Sequence, residues 1–405
     1  MAAVAPPASA PSPALTPPPG NPRFALFDSL RGIAVLAVVV FHAFLVCGSL
    51  ERRVIGDAAG VLGSHGPIVF FAISGFLLYR PWVAARAAQA PPLRALGYAR
   101  RRALRILPAY WTALTVLAIY PGISGVFSGD WWRYYLFLQL YDGDTLSRGI
   151  PVAWTLCVEV SFYAALPLWA AGMRALSAGR PAWLRAELGA LALVAVAGAA
   201  VQVAAAREAV SDLVAQSLAG QCTWFALGMA MAVASVALAE RRPAIARPGL
   251  CWAGAAAAFA ALTALNYDSG GLLGMVQRLQ SPQPYARALA EPALTAALVA
   301  LLLAPAVFAE QVSSFPRRVL TAAPLVWLGV ISYGVYLWHL TIAEVLALRA
   351  VPQHFAATGL DLAAELPGAA TPVVLVLTLA ASSAVAAISY RFVELPFLRR
   401  KERAP

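Results

Sequence analysis

Charged residues are scarce in this sequence. Asp, Glu, Lys and Arg make up only 12% of its 405 residues, whereas soluble domains carry about 25%. Hydrophobic residues make up 61%, and the mean hydropathy is +0.72. This composition excludes an ordinary soluble fold, because so few charges cannot cover the surface of a chain of this length.

Cysteine and histidine are rare as well, with four residues of each. The cysteines lie inside or beside apolar runs and have no close paired spacing, so we expect neither a disulfide framework nor a metal site. They are Cys47, Cys157, Cys222 and Cys251. We interpret them as packing residues.

Long apolar runs recur along the chain, and a run of about 20 residues spans a bilayer as a helix. We therefore predict an all-α, polytopic membrane bundle of about ten helices. The predicted spans lie near 27–47, 66–83, 105–120, 154–173, 187–206, 217–238, 249–266, 287–308, 324–347 and 371–392. The aromatic segment Trp131–Tyr141 is too short to span, which predicts an interfacial or re-entrant piece on the outer side.

Basic residues are unevenly distributed among the predicted loops. If residue 1 is cytosolic, 22 of the 30 Lys and Arg residues lie on the inside and 8 on the outside. This bias predicts that both termini face the cytosol. It also explains the net charge of +11 without a nucleic-acid partner.

The chain divides into one large unit and two short tails. Residues 1–22 are uncharged and rich in Pro and Ala, and they lack the pattern of a signal peptide, so we expect a disordered cytosolic tail. Residues 23–400 form the predicted transmembrane domain, and 401–405 a short C-terminal tail. No appended extracytoplasmic domain is expected.

The first span contains two strongly polar side chains beyond its start, Arg31 and His42. Eleven residues make almost three helical turns, so both lie on one face, roughly 16 Å apart along the axis. Arg31 alone is also explained as an anchor at the membrane boundary. His42 is costly in lipid unless it faces a cavity or a partner, which makes it a functional candidate.

Glu159 lies five residues into the fourth span, and His42 lies five residues from the outer end of the first. We therefore expect the two at one depth, with the carboxylate orienting the imidazole. Tyr163 follows Glu159 on the same helix face, where it extends this polar stripe or serves equally well as an ordinary interior tyrosine. Ser74 lies beside Gly75 in the second span, which favours close helix packing, and no base for a nucleophilic serine is evident nearby.

Two further groups of polar residues are candidates for substrate binding. Arg102 and Arg105, with Arg101 beside them, lie on one side of a helix start, where guanidinium groups bind phosphate well; membrane topology alone also explains arginines there. Ser332, Tyr336 and His339 form a polar face on the ninth span, which packing and substrate contact explain equally well. Glu394 and Arg391 are interpreted as an ion pair at the end of the last span.

These residues stand in segments that resemble the acyltransferase-3 family of membrane proteins. The Arg31-x10-His42 spacing, with Asp28 just ahead of it, is similar to the signature of that family. Four further segments match in order: FFAISGFLL at 70–78, WTLCVEVSFY at 154–163, SYGVYLWH at 332–339 and FVELP at 392–396. The likeness extends from about residue 24 to 400 and implies that the Arg102-x-x-Arg105 element is functional.

The resemblance implies an O-acyltransferase in the inner (plasma) membrane. Such an enzyme transfers an acyl group, acetyl or another short chain, from cytosolic acyl-CoA to a hydroxyl of a glycan, a lipid-linked glycan or a small molecule. Acyl-CoA is expected as a cosubstrate, with no permanently bound cofactor. His42, Glu159 and Arg31 are the expected catalytic residues. The expected substrate-binding residues are Asp28, Arg101, Arg102, Arg105, Tyr163, Ser332, Tyr336 and His339.

Two other functions fit a bundle with buried polar residues. One is a transporter or scramblase that performs no acyl transfer, although paired halves typical of many transporters are not visible in the sequence. The other is an inactive assembly subunit, which the complete set of polar residues disfavours. Consumption of an acyl-CoA thioester distinguishes both from the enzyme.

Overall fold

The computed structural model describes residue 24 and residues 26–51, 53–177, 183–238, 247–266, 282–308, 315–350 and 370–402. This part of the chain has no β-strand and contains ten helices of 19 residues or more. They are α1 (Leu26–Val46), α2 (Arg53–Ala87), α3 (Ala95–Ile119), α4 (Trp154–Ser177), α5 (Trp183–Ala206), α6 (Leu218–Ala237), α7 (Pro248–Asn266), α8 (Tyr285–Phe308), α9 (Ala323–Ala350) and α10 (Ala370–Ser389). The predicted all-α fold is confirmed. The tail at 1–22 lies outside the described residues.

Each predicted span corresponds to one of these long helices. Among the described residues, nine helices are long and apolar enough to cross a membrane. The tenth, α3, has 25 residues, but the arginines of its first half lower its hydropathy. Its second half carries the fully buried Tyr110 and Leu114 and packs against α4 and α9. The bundle is therefore a multi-pass membrane protein.

Helix α2 is much longer than predicted. It begins at Arg53 and has 35 residues, so most of the predicted loop before residue 66 is helical. Polar residues lower the hydropathy of this half of the helix, so the hydropathy pattern did not predict it as part of a span. Asp57 and His65 are 7% and 6% exposed, and His65 Nε2 lies 2.8 Å from Thr295 Oγ1 on α8. Interior partners, rather than lipid, accommodate these groups.

Helix α1 lies at the centre of the bundle and packs against α2, α9 and α10. Glycines permit its close approach to α9, since a Cβ on Gly329 would collide with the carbonyl oxygen of Asp28. Farther along both helices, His42 meets His339. The two helices therefore run in parallel, and residues that differ by about 297 in number lie at the same level.

Helices α1 and α2 run in opposite directions. A Cβ on Gly66 would lie 2.6 Å from Cγ2 of Val38, and one on Gly63 would collide with the ring of Phe41. Extending this register by eight residues along α2 places Ser74 beside the start of α1, at the level of Leu30.

The segment between α3 and α4 folds back into the bundle. Tyr134 and Leu140 are fully buried in the same core as the long helices, and the Tyr110 hydroxyl donates to the Tyr134 carbonyl at 2.9 Å. Its short helix, Trp131–Tyr135, has five residues, too few to span a bilayer. Trp131 and Trp132 remain 55% and 39% exposed, as in an aromatic membrane-interface segment.

The chain after α10 makes a π-helical turn, Tyr390–Glu394, followed by a helix over Leu395–Glu402. Such turns redirect side chains and are frequent at functional sites. Here the turn buries Glu394 against Arg105, 3.3 Å from its Nη1. Glu394 therefore pairs with α3, and the ion pair expected with Arg391 is not formed, because Arg391 points outward and is exposed.

A buried ion pair joins α2 to α5. Glu187 is 2% exposed and accepts hydrogen bonds from Arg86 and from the hydroxyl of Tyr79. Trp169 of α4 donates to the same hydroxyl at 3.1 Å. This hydrogen-bond network connects α2, α4 and α5 at one end of the bundle.

Replacing Glu187 with alanine is expected to lower the free energy of unfolding by about 3–5 kcal/mol, because Arg86 then remains buried without its anion. Thermal unfolding of the detergent-purified variant measures the effect. The exposed Glu208 provides a matched control, since Glu208→Ala should leave the melting temperature nearly unchanged. Equal melting temperatures for the two variants would contradict the assignment.

Candidate active site

Two histidines from α1 and α9 meet near the centre of the bundle. The Nε2 atom of His339 lies 3.1 Å from Nδ1 of His42, and the ring centroids are 4.9 Å apart. His339 is fully buried, whereas His42 is half-buried. The polar face predicted on the ninth span thus supplies the partner of the histidine predicted on the first.

The hydrogen bonds of His339 determine the tautomer of both rings. Its Nδ1 lies 2.8 Å from the carbonyl oxygen of Tyr336 and 3.1 Å from that of Val335. Carbonyl oxygens only accept, so this nitrogen carries the proton and Nε2 of the neutral ring is an acceptor. Nδ1 of His42 must then donate, which also suits its 2.9 Å contact with the Val38 carbonyl. Nε2 of His42 is left as the unprotonated nitrogen.

Among the described residues, Nε2 of His42 has no hydrogen-bond partner, and the ring lines a cavity of about 600 Å³. We call it the outer cavity, because it lies at the end of the bundle predicted to face outward. Its wall comes mainly from α1, α2, α5, α6, α8 and the segments joining them, and α4, α7 and α9 contribute Trp154, Asn266 and Tyr336. A basic nitrogen at the wall of a cavity is what a proton-abstracting group requires.

Tyr336 holds the start of α4 beside this cavity. Its hydroxyl lies 2.9 Å from Thr155 Oγ1 and donates to the Val152 carbonyl at 3.0 Å. Tyr336 also lines the outer cavity. Its hydroxyl therefore positions α4, and its ring contributes to the cavity wall.

Glu159 does not pair with His42. The carboxylate instead accepts a hydrogen bond of 2.5 Å from Ser74 Oγ. The expectation of a shared depth is wrong, because α4 does not begin at the outer surface. Its start is recessed beside Tyr336 by the infolded segment before it, so Glu159 lies one to two turns farther toward the arginines.

Glu159 belongs to a second polar site around Arg31. The charged and phenolic groups that interact electrostatically with Arg31 are Arg105, Asp28, Glu159 and Tyr163. All five side chains are half-buried, so each keeps part of its surface accessible. Asp28 also occupies the first turn of α1, where a carboxylate stabilises the helix dipole. We call this group, with Arg102, the arginine cluster.

The predicted Arg102-x-x-Arg105 element lies at this cluster. Arg105 pairs with the buried Glu394, and Arg102 interacts electrostatically with Tyr163. Nε of Arg102 is buried and has no hydrogen-bond partner among the described residues, so these residues leave the guanidinium incompletely satisfied. Arg101 lies beside Arg102 and is half-buried. The cluster thus offers several guanidinium groups to an anionic ligand.

An apolar plug separates the arginine cluster from the histidine pair. Val35 and Val38 lie between Arg31 and His42 on α1, and Val335 lies at the same level on α9. Each of these valines is at most 1% exposed. Ser332 lies at this level too, buried, with its hydroxyl donating to the Gly329 carbonyl at 2.8 Å. Backbone bonding accounts for Ser332, and no ligand contact is needed to satisfy it.

Comparison with known proteins bears directly on this arrangement. A family model described as an acyltransferase domain, that of the acyltransferase-3 family, matches residues 24–389, nearly the whole chain. The chain belongs to the acyltransferase-3 family. No curated protein and no solved structure matches it.

Membership of the acyltransferase-3 family makes this protein a membrane acyltransferase. The matched range contains the histidine pair and all of the arginine cluster. Sequence reasoning named Ser74 and Glu394 but gave them other roles, close packing and an ion pair with Arg391. In the structure Ser74 bonds to Glu159, 85 residues away, and Glu394 to Arg105, 289 residues away. The signal that was available for both was their position inside the FFAISGFLL and FVELP segments.

Proposed function

We propose that the enzyme transfers a short acyl group from acyl-CoA to a hydroxyl of an acceptor bound in the outer cavity. The observation that carries the proposal is the state of His42. Its Nδ1 is held by His339 and Val38, which leaves Nε2 as a free base at the cavity wall. A free base beside a ligand-sized cavity is the arrangement that hydroxyl activation needs.

The donor is assigned to the arginine cluster. Coenzyme A is rich in phosphate, and Arg102 and Arg105 present guanidinium groups that suit bidentate phosphate contacts. The positive-inside rule predicts that these arginines face the cytosol, where acyl-CoA is made. The long pantetheine arm then extends past Arg31 toward His42, a distance of roughly 16 Å along α1.

In the proposed reaction the thioester lies beside His42, which acts as the base. Its Nε2 takes the proton of the acceptor hydroxyl, and the hydroxyl oxygen attacks the thioester carbonyl carbon. The carbon–sulfur bond breaks, and the departing thiolate of coenzyme A receives the proton from the imidazolium. The same nitrogen also suits the alternative in which His42 first accepts the acyl group covalently.

This assignment gives Glu159 and Arg31 roles in donor binding rather than at the reacting atoms. Glu159 is held by Ser74, and it interacts electrostatically with Arg31. A carboxylate beside a guanidinium fixes its orientation, so that its remaining N–H groups face the ligand. The pair therefore positions the arm of the donor.

The decisive experiment follows thioester consumption by the purified protein in proteoliposomes, with free thiol and acylated product measured together. Acyl-CoA is added on one side and a panel of hydroxyl acceptors on the other. Consumption of thioester that depends on acceptor supports the enzyme. Movement of a substrate across the bilayer with the thioester intact would favour the transporter or scramblase.

Replacing Arg102 with alanine is expected to raise the KM for acyl-CoA about tenfold or more with little change in kcat, because one charge-assisted phosphate contact is lost. Initial rates at varied donor concentration measure the change. Arg100→Ala is the matched control, since Arg100 is exposed two residues away. An unchanged KM in Arg102→Ala would contradict phosphate binding there.

Arg105 requires a different design because its removal leaves Glu394 buried without a cation. The double variant Arg105→Ala/Glu394→Gln removes both charges together. Its KM for acyl-CoA should rise as in Arg102→Ala, while its melting temperature stays closer to wild type than that of Arg105→Ala.

A further inference from the structure

The outer cavity differs sharply in charge from the arginine cluster. Among its described lining residues, three carry carboxylates and one is an arginine. Asp57 is buried in the wall, while Asp212 and Glu291 are exposed. The arginine, Arg287, already donates to Asn266 Oδ1 at 2.9 Å. The described wall is therefore net negative.

Two amide side chains of the wall, Gln202 and Gln221, use their donor groups on the backbone and leave their acceptor oxygens unused within the described part of the chain. Gln202 Nε2 donates to the carbonyl oxygens of Ala215 and Gly220, both at 2.9 Å. Gln221 Nε2 donates to Ala215 at the same distance. Both donor groups are thus engaged by the backbone, and neither Oε1 accepts a hydrogen bond within the described part of the chain. With Nε2 of His42, the cavity presents acceptors to its occupant.

Aromatic rings complete the wall. Trp154, Trp224 and Phe41 line the same cavity as His42. Flat rings beside hydrogen-bond acceptors suit a ligand with apolar faces and hydroxyl-bearing edges, as in a sugar ring, whose hydroxyls can also accept from the indole N–H groups. A volume of about 600 Å³ accommodates more than one such ring.

We propose that the outer cavity selects an uncharged or positively charged sugar, such as an amino sugar, and rejects glycans bearing carboxylate or phosphate groups. This inference rests on the proposed function, because it names the acceptor that His42 would deprotonate. Hydroxyl and ammonium groups donate to the acceptors of the wall. An anionic sugar meets carboxylates and amide oxygens, which repel it.

Direct binding tests this selection separately from catalysis. The purified protein is titrated, without acyl-CoA, with three tetrasaccharides of matched length: glucosamine, N-acetylglucosamine and galacturonate. We expect the first two to bind about tenfold or more tightly than the third, the difference that one hydrogen bond to a charged group provides. Thioester consumption with the same three acceptors is measured in parallel.

Charge reversal identifies the responsible groups. Glu291→Lys and Asp212→Lys should each weaken binding of the glucosamine tetrasaccharide and strengthen binding of the galacturonate tetrasaccharide. The ratio of the two dissociation constants should therefore change about tenfold in favour of galacturonate. Glu208→Lys is the control, because Glu208 is exposed and does not line the cavity. Both target side chains are exposed and make no hydrogen bond within the described residues, so the variants should fold.

Three results would overturn the inference: galacturonate bound as tightly as the other sugars, no binding of any of the three, or a preference unchanged in both lysine variants. Selective binding without thioester consumption would instead support the inference and contradict the proposed acyl transfer. The two proposals therefore fail in distinguishable ways.

Discussion

Acyl transfer by the His42→Ala variant is expected to fall by about 10²–10⁴-fold, the usual contribution of a positioned base. The physical reason is that His42 Nε2 is the free acceptor nitrogen at the cavity wall. The KM for acyl-CoA should change little, because the phosphate-binding arginines of α3 belong to the cluster around Arg31, which lies roughly 16 Å from His42 along α1. Steady-state rates with varied donor measure both quantities.

His42→Gln provides the matched variant for this prediction. Glutamine keeps a hydrogen-bonding side chain beside His339 and fills most of the same space, but it has no basic nitrogen. It should therefore be as inactive as His42→Ala, with a melting temperature closer to wild type. Near-normal activity in either variant would contradict both direct transfer and an acyl-histidine relay.

The His339→Leu variant is expected to lower kcat by roughly 10–100-fold, as when the hydrogen-bond partner of a metal-binding histidine is removed. Leucine cannot accept the Nδ1 proton of His42, so only the Val38 carbonyl still holds that proton and the ring is fixed less firmly in the tautomer that leaves Nε2 unprotonated. KM values for donor and acceptor should be little affected, because His339 is fully buried and is not among the described residues that line the outer cavity.

Rescue distinguishes this positioning role from a merely structural one. His339→Gln retains an oxygen that accepts from Nδ1 of His42, and it should recover much of the kcat lost in His339→Leu. A purely structural role predicts that kcat follows the melting temperature in both variants. Equal loss of kcat in the two variants, at equal melting temperatures, would rule out the tautomer argument.

The number of long helices and the face of α1 that carries Arg31 and His42 were predictable, because both follow from local rules. Lipid requires about 20 apolar residues per span, and helical periodicity alone places Arg31 and His42 on one side. The sequence also marked His339 as a polar residue on the ninth span. The contact of His339 with His42 was not predictable, because it depends on the axial register between α9 and α1. The close approach of the two helices at Gly32 and Gly329 sets that register.

The failed prediction about Glu159 has a similar cause. Counting residues from the edge of an apolar run assumes that every helix begins at the membrane surface. The infolded chain before α4 breaks that assumption, because its buried Tyr134 and Leu140 lie inside the bundle. The early start of α2 was missed for the opposite reason, since Asp57 and His65 make a buried helix appear polar.

The apolar plug has a consequence for the membrane as an insulator. A bilayer stores an electrical potential, and moving one charge across it releases about 2.3 kcal/mol per 100 mV. A continuous wet path from the arginine cluster to the outer cavity would let protons pass along Arg31, Glu159 and His42. Tight packing of Val35, Val38 and Val335 interrupts that path. On the proposed function the chemistry joins two compartments that the described packing separates, so the acyl arm would have to displace these valines without admitting a column of water.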